Sequence, residues 1–178
     1  MNLIYNVKEE ITINQVLSDK LNISTRLKNK LIKNRLVSLN GSFVDTRTIA
    51  YSGDVVTVIL SYNEDNSNIV PKEMYLEIIY EDSHLLAINK PAGIAVHPSI
   101  LHYDDSLANG IRFYFDKICL KKKIRAVNRI DLNTSGIVLF AKNEYIQECL
   151  IKQMASREFS KSYICITRGI LNEKKRNY

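Results

Sequence analysis

The chain reads as an α+β protein in which a small domain of helices on a short sheet precedes a larger segment built on part of a mixed sheet. Three observations predict this. Apolar residues make up 46% of the 178 positions, enough for a packed core. Short β-branched runs and helical patterns alternate irregularly, unlike the regular strand-helix-strand order of a doubly wound sheet. The stretch Asn63-Glu64-Asp65-Asn66-Ser67-Asn68 is polar, lacks apolar periodicity and precedes Pro71. It divides the chain into an N-terminal domain at 1–61, a linker at 62–73 and a second segment at 74–178.

In the first domain a helix is expected to start near Ser24, a good N-cap residue, and to end before Val37-Ser38-Leu39. Asn40-Gly41 then signals a tight turn between short strands, and Val55-Val56-Thr57-Val58 reads as another strand. In the second segment, M-Y-L-E-I-I-Y-E-D-S-H-L-L-A-I-N-K-P-A-G-I-A-V-H-P-S (74–99) gives two apolar strands joined by an Asp82-Ser83 turn and closed by Lys90-Pro91-Ala92-Gly93. Pro91 ends ladder pairing and Gly93 permits a change of backbone sign, so this loop can approach a site closely. Residues 105–120 form a helix candidate through Leu107, Ile111, Tyr114 and Phe115, and residues 145–154 another through Ile146, Cys149, Leu150 and Met154. Lys161-Ser162-Tyr163-Ile164-Cys165-Ile166 has the composition of a strand.

The stretch V-N-R-I-D-L-N-T-S-G-I-V-L-F-A-K (127–142) carries the most chemistry. Arg129 and Asp131 stand at i and i+2, on one face of an extended chain. Thr134-Ser135-Gly136 then turns into an apolar strand able to hold the carboxylate rigidly. From these residues alone Asp131 is either a reactive carboxylate or a turn aspartate accepting from nearby backbone N–H groups. Lys90 reads equally as a solvated charge, His97 as a packed or surface histidine, and Tyr163 as a strand tyrosine chosen for packing.

Formal charge is +6 and unevenly spread: residues 21–35 hold Arg26, Lys28, Lys30, Lys33 and Arg35 with no Asp or Glu. Nucleic acid is the natural partner of such a surface, and a solvated helix face is the alternative. Lys117, Lys121, Lys122, Lys123 and Arg125 form a second basic cluster ahead of Asp131. No window of about 18 uncharged apolar residues could span a membrane, and residues 1–13 lack the pattern of a secretory signal. A cytoplasmic protein is expected, with no membrane partner. Cys119, Cys149 and Cys165 are odd in number and far apart, which suggests neither disulfides nor a metal site. Two glycosylation sequons, at Asn22 and Asn133, carry no weight without secretion.

The 127–142 stretch resembles the signature of the RNA pseudouridine synthases of the large-subunit ribosomal RNA class, His-Arg-Leu-Asp-x-x-Thr-Ser-Gly followed by an apolar strand ending in Ala-Lys. Here Asn128 takes the place of the His and Ile130 that of the Leu, the second a volume-conserving exchange. The 74–99 block and the Lys161/Tyr163/Gly169 spacing are similar to the same family in the same order. The order of helix, basic helix, V-x-L-N-G turn and strand resembles an S4 RNA-binding domain.

The resemblance implies isomerisation of uridine to pseudouridine in RNA, ribosomal RNA first, without a cofactor or a metal. It makes Asp131 the catalytic carboxylate, acting as nucleophile at the sugar or as base at C2′. Arg129 would assist base flipping and Tyr163 would stack on the flipped uracil. Arg26, Lys28, Lys30, Lys33 and Arg35 would face phosphates, and Lys90 would hold the catalytic loop or the phosphates. Catalytic domains of the family continue further, to an Arg-x-His-Gln-Ile-Arg block that is missing from these 178 residues. The chain is therefore expected to carry the N-terminal part of such a domain, and RNA binding without catalysis is the rival function. A nucleoside or glycoside hydrolase is a weaker rival, since no second carboxylate accompanies Asp131 at a suitable position.

Overall fold

The computed structural model describes residues 1–169. Strand β1 (Asn2–Asn6) is followed by β2 (Ile11–Thr12) and a short helix α1 (Ile13–Gln15), which Thr12 and Gln15 cap reciprocally and which runs on into a π-helical turn, Val16–Lys20. Helix α2 (Thr25–Lys33) starts as its sequence predicts, with the Ser24 hydroxyl accepting from the Leu27 N–H at 3.2 Å. Next come β3 (Val37–Leu39), β4 (Ser42–Phe43), β5 (Ile49–Ala50) and β6 (Val55–Ile59). Asn40 and Gly41 have φ of 51° and 83°, the two positive values that a two-residue hairpin between β3 and β4 requires.

β1, β6, β3 and β4 lie side by side in that order as an antiparallel sheet, and β2 pairs with β5. Val56 and Val58 alternate inward from β6 and meet Leu27 and Leu31, one turn apart on α2, together with Ile13, Val16 and Leu17. Burying a Leu, Ile or Val side chain fully contributes about 1.5–3 kcal/mol. This apolar stripe therefore holds α2 on its sheet.

The second unit contains β7 (Ile78–Glu81), β8 (Leu85–Lys90), α3 (Leu107–Lys117), β9 (Gly136–Ala141) and α4 (Glu144–Ala155). Leu86 and Ile88 of β8 lie beside Phe140 and Val138 of β9 and pack on Leu107, Ile111 and Phe115 of α3. Asp82 makes the β7–β8 turn, its Oδ1 accepting from the N–H groups of His84 and Leu85 at 2.7 and 2.6 Å.

Two expectations need correction. The sheet is not mixed: every strand pair among the described residues is antiparallel. The tight β7–β8 turn forces that sense on its strands, and β9 enters from the far end of β8. Residues 161–166 form no strand, because no described segment lies alongside to pair with them. Ile164 and Ile166 are fully exposed. Helix α4 buries none of its apolar residues. It turns polar residues to the N-terminal unit instead: Tyr145 donates to the Leu21 carbonyl, Glu148 accepts from the hydroxyl and N–H of Ser24, and Lys152 donates to Asn22.

Candidate functional site

Residues 125–128 run antiparallel along the outer edge of β9. Ala141 N–H donates to the Arg125 carbonyl at 2.9 Å, Ala126 bridges Phe140, and Val127 N–H donates to Leu139 at 2.7 Å. Where the backbone leaves the ladder, Asn128 continues it with its side chain. Its amide accepts from Leu139 N–H at 2.8 Å and donates to the Ile137 carbonyl at 3.0 Å. The position that carries His in the family motif is thus occupied here by a buried amide with both hydrogen-bonding ends in use.

Beyond Asn128 the loop is held from a second side. Leu132 O accepts from Gly93 N–H at 2.8 Å and from the Lys90 ammonium at 3.0 Å. Lys90 also donates to the carbonyls of Pro91 and Ile94 at 2.9 and 2.7 Å. Gly93 has a φ of 83°, which a side chain would strain. Thr134 N–H closes the turn onto the Asp131 carbonyl at 3.1 Å.

Ile130 packs against the core, so Arg129 and Asp131 on either side of it are both exposed. No described residue donates a hydrogen bond to the Asp131 carboxylate or forms an ion pair with it. The turn-aspartate reading fails on this point, since the turn is built by the Asp131 carbonyl and not by its side chain. Arg129 bears instead on His97, whose pKa is lowered by burial and then by the Arg129 charge.

A cleft of about 690 Å³ lies against this loop. Asn128, Ile130, Ser135 and Ile137 line one part of it, and Phe159 and Tyr163 another. Tyr163 is 60% exposed. Ile130 and Asn133 line the cleft on either side of Asp131 in sequence, while Asp131 itself does not. Among the described residues no group of three or more His, Cys, Asp or Glu is placed to hold a metal ion.

The basic residues divide sharply. Arg26, Lys33 and Arg35 are exposed. Lys28 is not: it is 8% exposed, and its ammonium donates to Asn14 and Ser18 inside the N-terminal unit. Lys30 sits between Glu144 at 2.7 Å and Glu64 at 3.2 Å, over the ring of Tyr62. Burial disfavours its charge, but the hydrogen bonds to Glu144, Tyr62 and Glu64 outweigh this and raise its pKa. Lys90 is wholly buried, so it is neither a solvated charge nor a phosphate ligand; it fastens the loop. In the second cluster Lys117, Lys121 and Lys123 are exposed, whereas Lys122 donates to the carbonyls of Leu60 and Tyr62 and Arg125 is buried. Sequence reasoning missed Glu64 and Glu144, the carboxylates that hold Lys30 and Arg125.

The fold and this loop define an α+β protein in which a hydrogen-bonded surface loop presents an arginine and an aspartate beside a cleft. A family model for RNA pseudouridylate synthase matches residues 84–177, more than half of the chain, and the chain belongs to that family. The uncharacterized RNA pseudouridine synthase YhcT of Bacillus subtilis is 33% identical over 160 residues, covering 90% of this chain and 53% of its own length. Ribosomal large subunit pseudouridine synthase D of Xylella fastidiosa is 33% identical over 140 residues, covering 79% of this chain and 42% of its own. The protein of the same name from Borreliella burgdorferi is 31% identical over 185 residues, at 93% and 56%. The chain spans about half the length of the curated relatives it matches.

Proposed function

We propose that this chain serves the isomerisation of uridine to pseudouridine in RNA, with ribosomal RNA as the first substrate, and that Asp131 is the catalytic carboxylate. The N1–C1′ bond breaks, the uracil turns, and C5 joins C1′; C5 gives up its proton to solvent and N1 takes one up, so the product is an isomer of the substrate. The nucleotide has to leave its stack to present both sugar and base, at a cost of a few kcal/mol. Arg129 is assigned to the flipped-out conformation and to flanking phosphate. Tyr163 is assigned to stacking on the uracil. Asp131 acts either as nucleophile at C1′ or as base at C2′.

The observation that carries this reading is a loop held by the Asn128 side chain and by the Asp131 and Leu132 carbonyls while the Asp131 carboxylate is left without a partner among the described residues. A rigid scaffold under a free functional group is how sites are built, and family membership supplies the reaction.

Residues 1–61 are assigned to an S4-like RNA-binding domain, joined through 62–73 to a pseudouridine synthase segment at 74–178. Exposed Arg26, Lys33 and Arg35 supply its phosphate contacts. The cytoplasm, where ribosomal RNA is handled, is the proposed compartment. No helix among the described residues is long and apolar enough to cross a membrane.

RNA binding without catalysis is the second reading. It is favoured by Asp131 standing outside the cleft lining. Tritium release from ribosomal RNA labelled at C5 of uridine separates the two. Release that disappears in Asp131→Asn supports the synthase, whereas salt-sensitive RNA binding with no release supports the binding-only protein.

A further inference from the structure

The stretch expected to be a free linker is bound along the segment that leads to Asp131. Glu64 N–H donates to the Lys121 carbonyl at 2.9 Å, Asn66 donates to the Lys122 carbonyl, and Ile124 N–H donates to the Asn66 amide oxygen at 3.2 Å. At the centre, Arg125 grips Glu64 with both terminal nitrogens, at 2.7 and 2.6 Å, and the two side chains are 8% and 4% exposed. Glu64 also takes Lys30 of α2, and Glu144 of α4 closes the cluster at 2.7 Å from Lys30 and 3.7 Å from Arg125. From Arg125 the chain passes directly into the 125–128 ladder on β9, and three residues after that ladder it reaches Asp131.

We infer that Lys30, Glu64 and Arg125 are positioning residues that couple the basic helix of the N-terminal unit to the segment presenting Arg129 and Asp131. Geometry favours coupling over mere cohesion. A bidentate guanidinium fixes orientation as well as distance. The pair is desolvated, so its partners cannot turn to water when one of them moves. A change at α2 thus reaches Arg125 through Glu64 and then the 125–128 ladder through the Arg125 backbone. This rests on the proposed function only for its effect on catalysis; the mechanical link stands without it.

The test is amide hydrogen exchange on the full chain, read at Val127 and Leu139, whose N–H groups hold the ladder, with the amides of β6 as internal control. In Lys30→Met and in Glu64→Gln, exchange at Val127 and Leu139 should rise by at least about tenfold while β6 changes little, well within the cost of leaving one partner of a buried pair alone. Because Arg125→Met alone could unfold the chain, the double variant Glu64→Leu/Arg125→Met strands no charge between the two positions. Adding Lys30→Met to that background should produce no further rise.

Unchanged exchange at Val127 and Leu139 in Lys30→Met, or a full additional rise in the double background, would overturn the coupling. In turnover assays Lys30→Met should lower kcat and leave KM for RNA nearly unchanged. An equal loss in both would make Lys30 an RNA contact and sink the positioning role. If the unaltered chain forms no pseudouridine, the proposed function fails, and the exchange results alone decide the coupling.

Discussion

The Lys90 ammonium and the Leu132 carbonyl meet at 3.0 Å across two loops that lie 42 residues apart in sequence. With its bonds to Pro91 and Ile94, Lys90 spends all three protons on backbone oxygens. A wholly buried lysine without a hydrogen-bonded carboxylate is costly. Its pKa is accordingly lowered by burial, a shift that the nearby Asp131 charge opposes.

Lys90→Met keeps the length and volume of the side chain but takes a donor from three carbonyls, of which only that of Leu132 keeps another among the described residues, the Gly93 N–H. Unsatisfied buried groups cost about 1–3 kcal/mol each, and relief of the buried charge offsets part of that. The expected net loss is about 2 kcal/mol, a fall of roughly 4–8 °C in Tm for a chain of this size. Faster exchange at Gly93, which shares the Leu132 carbonyl, should accompany it. A Lys90→Met protein that melts like the unaltered chain would show that the lysine fastens nothing.

The division of the basic residues predicts unequal effects on RNA binding. Charge reversal at Lys33 and Arg35 should weaken RNA affinity and flatten its dependence on salt, by about one unit of slope for each phosphate no longer neutralised, with little effect on melting. Lys28→Glu should instead destabilise the N-terminal unit, because it places a carboxylate against Asn14 and Ser18 in a buried position. Titrating RNA affinity against salt for the three variants checks this. A Lys28 variant that folds normally and loses salt slope would return that residue to the phosphate-facing set.

Much of the scaffold was legible because its signals are local. Ser24 caps α2 within three residues of itself, Asn40-Gly41 makes its own turn, and Asp82 folds the chain onto His84 and Leu85. The loop around Asp131 was legible for the same reason, since Thr134-Ser135-Gly136 turns back on the Asp131 carbonyl and enters β9 directly. What stayed hidden depends on partners far along the chain. A run of cations looks the same whether it faces water or meets Glu64 and Glu144, which lie 34 and 114 residues from Lys30. Strand propensity at 161–166 likewise says nothing about whether another strand lies alongside, and the polar composition of 63–68 resembles a linker although Glu64 and Asn66 are anchored.

His97 reports on the position of Arg129. Burial and the Arg129 charge both disfavour the imidazolium, so the ring should titrate below its ordinary 6.5 and be neutral at pH 7. Replacing Arg129 by Ala removes the second cause and leaves the first, so the midpoint should move upward without reaching the free value. NMR titration of the imidazole in both proteins measures this directly. An unchanged midpoint in Arg129→Ala would place the guanidinium away from His97.

Glu64 predicts how the junction between the two units responds to acid. Burial pushes its carboxyl up, and the hydrogen bonds and charges of Arg125 and then Lys30 outweigh this, leaving it below its ordinary 4.5. A carboxyl whose folded pKa is depressed binds fewer protons folded than unfolded. Its stabilisation is therefore complete above 4.5 and is lost as pH falls through the folded value. Glu64→Gln keeps the shape and removes the charge, leaving Arg125 buried opposite a neutral amide, at a cost of about 3 kcal/mol near neutrality. Below pH 4.5 the unaltered protein progressively acquires the same neutral partner, so its melting curve should converge on that of Glu64→Gln. Thermal melts at half-unit steps from about pH 7 down to about pH 3 would show that convergence, and a gap in Tm that stays constant across the acid range would mean that Glu64 is not the group holding Arg125.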